Sequence, residues 1–169
     1  MPVVVPPHSL KVALLQPQIA PNTGNIGRLC VASRAELHLV RPFGFVLTDS
    51  SLRRSGMDYW PRLKLTLHDD DAAFFQAIDA ARLWLFTSKA ARPHWDAPFT
   101  PHDCLVFGSE THGLSDAILS RFPDRQLRIP QVEGERCLNL STAVGIGLYE
   151  ALGKIQRDRG FQTEAAATD

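Results

Sequence analysis

Long apolar runs, a cysteine framework and an excess of charge of either sign are all missing from this chain of 169 residues. No apolar stretch approaches the roughly 18 residues that span a bilayer, so no membrane partner is expected. The three cysteines, Cys30, Cys104 and Cys137, are odd in number and far apart, which argues against a disulfide framework or a CxxC metal site and leaves reduced thiols. The six histidines show no HExxH or comparable spacing, and an isolated one such as His38 in ELHLV reads as structural, so no metal is expected. Lys and Arg together number 18 against 18 for Asp and Glu. That balance gives no support for broad nonspecific adhesion to nucleic acid and leaves room for a local basic patch. Neither GxGxxG nor GxxxxGK[ST] occurs, so a dinucleotide or P-loop enzyme is unsupported. The opening MPVVVPPHSL lacks a basic start and a sufficient hydrophobic stretch, and the chain is read as cytoplasmic.

What is present is alternation. KVALLQ, LHLV, RLWLF, CLVF and QLRI are short, apolar, bounded by Pro, Gly or charge, and read as strands. Between them lie segments of helical period. Asn22 or Thr23 is placed to cap a helix through IGRLCVASRAEL, and DDDAAFFQAIDAA opens with acids suited to a helix start and sets Phe74, Ala77, Ile78 and Ala81 on one face. LSDAILSRF starts from a cap at Ser115, and Ser141 is placed to cap TAVGIGLYEALGKIQRD, where Gly145 and Gly147 suggest that another backbone packs closely. Strands alternating with helices predict an α/β fold, a mainly parallel sheet flanked by helices, with ligands beyond the carboxyl ends of the strands. No repeat or long linker divides the chain, so one domain over residues 1–169 is expected, with loose ends at 1–7 and 161–169.

Three turns that follow strands stand out. In PQIAPNTGNIGRLC, Pro21, Asn22 and Gly24 make a turn, Asn25 enters the helix, and Arg28 follows one turn later on the same side. This reads either as a helix start with a solvated arginine or as a phosphate site, since free amides and a guanidinium both favour anions. In CLVFGSETHGLS, Gly108 lets a ligand approach the backbone, and Glu110 sits between two glycines where a plain turn does not call for an acid. In RIPQVEGERCLNLSTAVGIG, an apolar edge ends at Ile129 and Pro130, a polar loop follows, and Asn139 and Ser141 stand where the helix begins. SLRRSGMDYW adds a mixture of cations and rings, Arg53, Arg54, Tyr59 and Trp60, suited to loop phosphates and an unstacked base or to a solvated turn over core aromatics.

Taken in order, PNTGNIGRLC, LVFGSETHGL and RIPQVEGERCLNLSTAV resemble the three motifs of the SPOUT class of RNA methyltransferases. With PFGF and SLRRSGMDYW the chain is most similar to the minimal YibK-like, or TrmL-like, tRNA 2′-O-methyltransferases, over about residues 11–156. The resemblance implies a C-terminal deep trefoil knot, S-adenosylmethionine (S-adenosyl-L-methionine) held in the knotted loops, and a homodimer that completes the active site. It implies transfer to a ribose 2′-hydroxyl of the tRNA anticodon loop, at wobble position 34, a cytidine or a modified uridine. The alternatives are the same chemistry at another tRNA or rRNA site, or a noncatalytic RNA-binding or assembly factor.

Carried over residue by residue, the resemblance puts Phe86, Gly108, Ile129, Cys137 and Leu138 where the family lines its cofactor pocket. Cys137 stands where relatives commonly carry serine, so its backbone rather than its thiol is expected to bind. Arg28 matches the motif arginine; permanently protonated, it suits gripping phosphate and orienting the ribose better than removing a proton. Asn139 falls at the catalytic edge, as an organiser or as a turn residue. Asn25, Arg53, Arg54 and Tyr149 are assigned to RNA, with Tyr149 equally suited to a subunit interface.

Overall fold

A strand covered on both faces leaves little room for a polar residue, and the apolar runs of this chain become such strands. The computed structural model describes residues 4–48 and 58–166, the last six by their backbone alone. Its strands are β1 (Lys11–Leu15), β2 (Glu36–Val40), β3 (Leu65–His68), β4 (Leu83–Phe86), β5 (Cys104–Phe107) and β6 (Gln126–Leu127). They form one six-stranded, all-parallel sheet in the order β3-β2-β1-β5-β4-β6. The helices are α1 (Ala20–Ser33), α2 (Asp71–Ala77), α3 (Asp116–Arg121) and α4 (Leu140–Ala166).

Successive residues of a strand point to opposite faces, and this sorts the core into two layers. Val12 and Leu14 of β1 join Leu37, Leu39, Phe86 and Phe107 against Ile26 and Cys30 of α1 and Val144 and Leu148 of α4. Ala13 and Leu15 join Val40, Leu85 and Val106 against Phe74 of α2 and Ile118 and Leu119 of α3. α4 docks because Val144, Leu148, Ala151, Leu152 and Ile155 recur on one face of the helix. Among the described residues, no helix is long and apolar enough to cross a membrane.

The structure departs from the sequence expectations in local ways. LTLH, β3, carries no apolar run because it is the sheet edge, with Thr66 and Leu67 exposed and only His68 fully buried. α1 begins at Ala20, before Asn22 and Thr23, so neither caps it; Pro21 sits in its first turn and both polar residues are buried inside. α2 ends at Ala77, which leaves Ala81 in a separate short turn, and it is capped by Asp70, whose carboxylate accepts from the Ala73 N–H at 2.7 Å. Ser115 caps α3 as expected, accepting from the Ile118 N–H. α4 stays helical to Ala166, past Asp158 and into the stretch expected to be loose.

Because every strand is parallel, the chain leaves β1, β4, β5 and β6 at the same edge of the sheet. The turn after β1 is sharp: Gln16 takes a left-handed φ of 55°, unusual for a residue with a side chain, while its N–H stays bonded to the Val40 carbonyl at 2.9 Å. The three turns singled out in the sequence therefore converge.

Candidate functional site

The carboxyl ends of β4, β5 and β6 and the first turn of α4 surround a cavity of about 500 Å³. Phe86, Gly108, Ile129, Cys137 and Leu138 line it, and so does Asn139. The Phe86 and Phe107 rings stack in its wall with centroids 4.6 Å apart. The Phe86 ring is backed by Gly147 of α4, where an added Cβ would lie 2.8 Å from the ring Cζ. A side chain, not a second backbone, therefore requires that glycine. Gly145 meets only Leu29, at 3.9 Å.

Gly108 has a different reason from the one its sequence context suggested. A Cβ there would stand 2.0 Å from the Gly113 carbonyl carbon. The loop folds back on itself, with the Gly113 N–H donating to the Ser109 carbonyl at 2.9 Å and Gly113 at φ 64°. The missing side chain makes room for the protein's own turn, and the bare backbone of Gly108 faces the cavity as a consequence.

Polar groups tie the three loops together. α1 has no side-chain cap from its own flank, and Glu110 supplies one from a distant loop. Its carboxylate accepts from the Gln18 N–H at 2.8 Å, the Ile19 N–H at 3.1 Å and the Asn22 side-chain amide at 3.2 Å. Free donors and the positive end of the helix dipole both favour an anion there. The Asn22 carbonyl oxygen accepts from the Asn139 amide at 3.0 Å, and Asn139 in turn accepts from the Ser141 N–H at 2.9 Å and hydroxyl at 2.7 Å. Asn139, not Ser141, is thus the cap of α4. Asn22, read from the sequence as a turn or cap residue, is the bridge between the two helix starts; its signal was a second amide in PNTGN with no capping partner nearby.

Arg28, Asn25 and Tyr149 do not line the cavity. Pro21, Asn25, Arg28 and Ala32 form an exposed stripe on α1, and Thr142, Ile146 and Tyr149 an exposed stripe on α4, which packs against α1. Tyr149 is 51% exposed. The Arg28 guanidinium lies over the Tyr59 ring, 5.1 Å from its centroid. Tyr59 is buried, and its hydroxyl donates to the Gly24 carbonyl. Of the two readings of this segment, the position of Tyr59 agrees with that of a core aromatic, since it packs onto α1. Burial pushes the Tyr59 hydroxyl pKa up, and the nearby Arg28 charge opposes the shift. Arg53 and Arg54 lie outside the described residues.

A family model described as the SpoU rRNA Methylase family matches residues 9–149. A protein of Burkholderia pseudomallei named tRNA (cytidine(34)-2′-O)-methyltransferase is 42% identical over 154 residues, 89% of this chain and 96% of that protein. A solved structure described as giving insights into the 2-OH methylation of C/U34 on tRNA is 41% identical with a TM-score of 0.82, over 88% of this chain and 97% of that one. The SpoU methyltransferase AviRb of Streptomyces viridochromogenes, solved with AdoMet, is 25% identical with a TM-score of 0.75, over 89% of this chain and 60% of that one.

Proposed function

Because the chain belongs to the SpoU rRNA Methylase family, we infer that it transfers a methyl group from S-adenosylmethionine to the ribose 2′-hydroxyl of nucleotide 34, a cytidine or modified uridine, in a tRNA anticodon loop. The observation that carries this reading is the convergence of the three motif loops on one cavity, with Glu110, Asn22 and Asn139 in continuous hydrogen-bonded contact beside it. The cavity fits the cofactor. Its volume lies in the range of small-molecule sites, and its walls combine apolar side chains, Phe86, Phe107, Ile129 and Leu138 among them, with polar ones such as Lys89, Glu110, His112 and Asn139. Ile129 and Leu138 are placed to flank an adenine, with backbone groups near Gly108 and Cys137 for its polar edges. S-adenosylmethionine supplies an electrophilic sulfonium methyl when bound.

The chain's own residues then supply position. Asn139 sets where the cavity wall ends, because both ends of its carboxamide are engaged. Arg28 offers five donors and a permanent charge to an RNA phosphate, which orients the ribose hydroxyl for in-line attack. Asn25 and Tyr149 share its outward face, and the family resemblance assigns Arg53 and Arg54 to RNA as well. A homodimer formed on the α1 and α4 stripes would bring this face to the cavity of a second copy. In support, Ile146 and Tyr149 are exposed there and Arg28 does not line its own chain's cavity. The same reading makes residues 1–169 a single cytoplasmic domain whose C-terminal part is knotted; the family likeness supports the knot. Incubation with labelled S-adenosylmethionine and unmodified tRNA, followed by mass-spectrometric mapping, should place a 2′-O-methyl at nucleotide 34. A tRNA pool that gains none would overturn the assignment.

A further inference from the structure

We propose that Tyr59 is a positioning residue that presents the Arg28 guanidinium to RNA through the face of its ring; the proposal rests on the reading of Arg28 as a phosphate grip. Tyr59 belongs to a short segment pressed against α1. Gly27 makes the fit possible, since a Cβ there would lie 2.9 Å from the Trp60 ring. The Tyr59 hydroxyl donates to the Gly24 carbonyl, the same oxygen to which helical geometry directs the Arg28 N–H four residues on. Ring and guanidinium are therefore anchored to one turn of one helix. The 5.1 Å separation is within the range where a ring quadrupole attracts a cation.

The choice of partner matters chemically. A carboxylate would also restrain Arg28, but it would occupy the donor fork and neutralise the charge that a phosphate needs. Among the described residues no carboxylate forms an ion pair with Arg28. A ring restrains the side chain while leaving available the charge and the donors that do not face the Tyr59 hydroxyl. Burial raises the Tyr59 hydroxyl pKa, which keeps it protonated and a donor.

The test compares variants by kcat/KM for tRNA and by calorimetric affinity for S-adenosylmethionine. Tyr59→Phe, which keeps the ring face but loses the hydroxyl bond to Gly24, should lower kcat/KM less than Tyr59→Leu does, with cofactor affinity held. Tyr59→Leu should lower kcat/KM roughly two- to fivefold with cofactor affinity held. In the Arg28→Ala background, Tyr59→Leu should weaken tRNA binding no further. Replacing Tyr59 by phenylalanines of increasing ring fluorination keeps the shape while draining the ring's negative face, so it remains decisive even if the leucine variant folds poorly. The expected result is a stepwise loss of kcat/KM. Indifference to fluorination, or a Tyr59→Leu effect of equal size without Arg28, would overturn the proposal as mere packing. Failure of the underlying reading shows separately, as an Arg28→Ala variant with intact Tyr59 that binds and methylates tRNA normally.

Discussion

The cavity and the outward α1–α4 face are built on opposite plans. Around the cavity, groups far apart in sequence restrain one another: Glu110 holds the start of α1, Asn22 bridges, and Asn139 caps α4. On the outward face Arg28 leans on one ring, and Ile146 and Tyr149 remain open to solvent. A small ligand must be surrounded, so its pocket is determined many times over within one chain. A macromolecule must be met from outside, so under the proposed function the exposed groups of the α1–α4 face find their partners in a second molecule. The division also separates two sources of free energy, preorganised burial on one side and unneutralised charge on the other.

The sharpest way to break this comparison is Arg28→Ala. If the two regions are separate, methyl transfer should fall on the order of a hundredfold or more, while calorimetric affinity for S-adenosylmethionine stays within about twofold. A collapse of cofactor affinity instead would merge the regions. Glu110→Ala should do the reverse. Three donors lose their acceptor at once, which should cost about 2 kcal/mol in urea unfolding and weaken cofactor binding roughly tenfold. Glu110→Gln, which keeps one acceptor oxygen, should fall between the two.

The parts legible in the sequence were those whose cause is local. Strands buried on both faces announced themselves as apolar runs, and three odd turns after strands pointed to one sheet edge. β3 was silent because an edge strand needs no apolar run. The role of Asn22 is not legible locally, because capping rules look a few residues away and the anion at the start of α1 arrives from a loop 88 residues beyond Asn22. The partner of Gly147 is hidden for the same reason: Phe86 is brought to it only by the folded sheet. The role of Asn139 was displaced by two residues onto Ser141, an error that only the side-chain directions resolve.

The two glycines of α4 sharpen the comparison at smaller scale. Gly147→Ala gains helix propensity, but its methyl meets the Phe86 ring, and repacking should win by about 1 kcal/mol and loosen cofactor binding a few-fold. Gly145→Ala has room, so thermal melting should show a gain of up to about 1 kcal/mol with cofactor affinity unchanged. Equal behaviour of the pair would mean that the cavity wall is softer than its packing implies.

Mild acid should have the smallest effect, and it asks whether both regions hang on one scaffold. His38 of β2 and His68 of β3 stack at 5.2 Å, and one ring donates to the other at 2.9 Å. Burial first, then the neighbouring His68, hold the His38 pKa down at about 4 against the opposing pull of Glu36, and burial lowers His68 as well. The unfolded chain takes up protons near the ordinary value of about 6.5, while the folded chain resists. More protons are then bound unfolded than folded in this window, so stability is complete above pH 6.5 and is lost as the pH falls toward 4. For His38 the loss between pH 7.5 and 6 should be under about 1 kcal/mol, growing to about 1.4 kcal/mol per further pH unit. His38 belongs to the sheet and lines no part of the cavity. Protonation of the His38–His68 pair should therefore lower stability in urea without changing cofactor affinity while the chain stays folded. Cofactor affinity that faded first, at a pH where urea unfolding still shows a stable chain, would locate the acid effect in the cavity wall, which holds Glu110 and His112, and not in the His38–His68 pair.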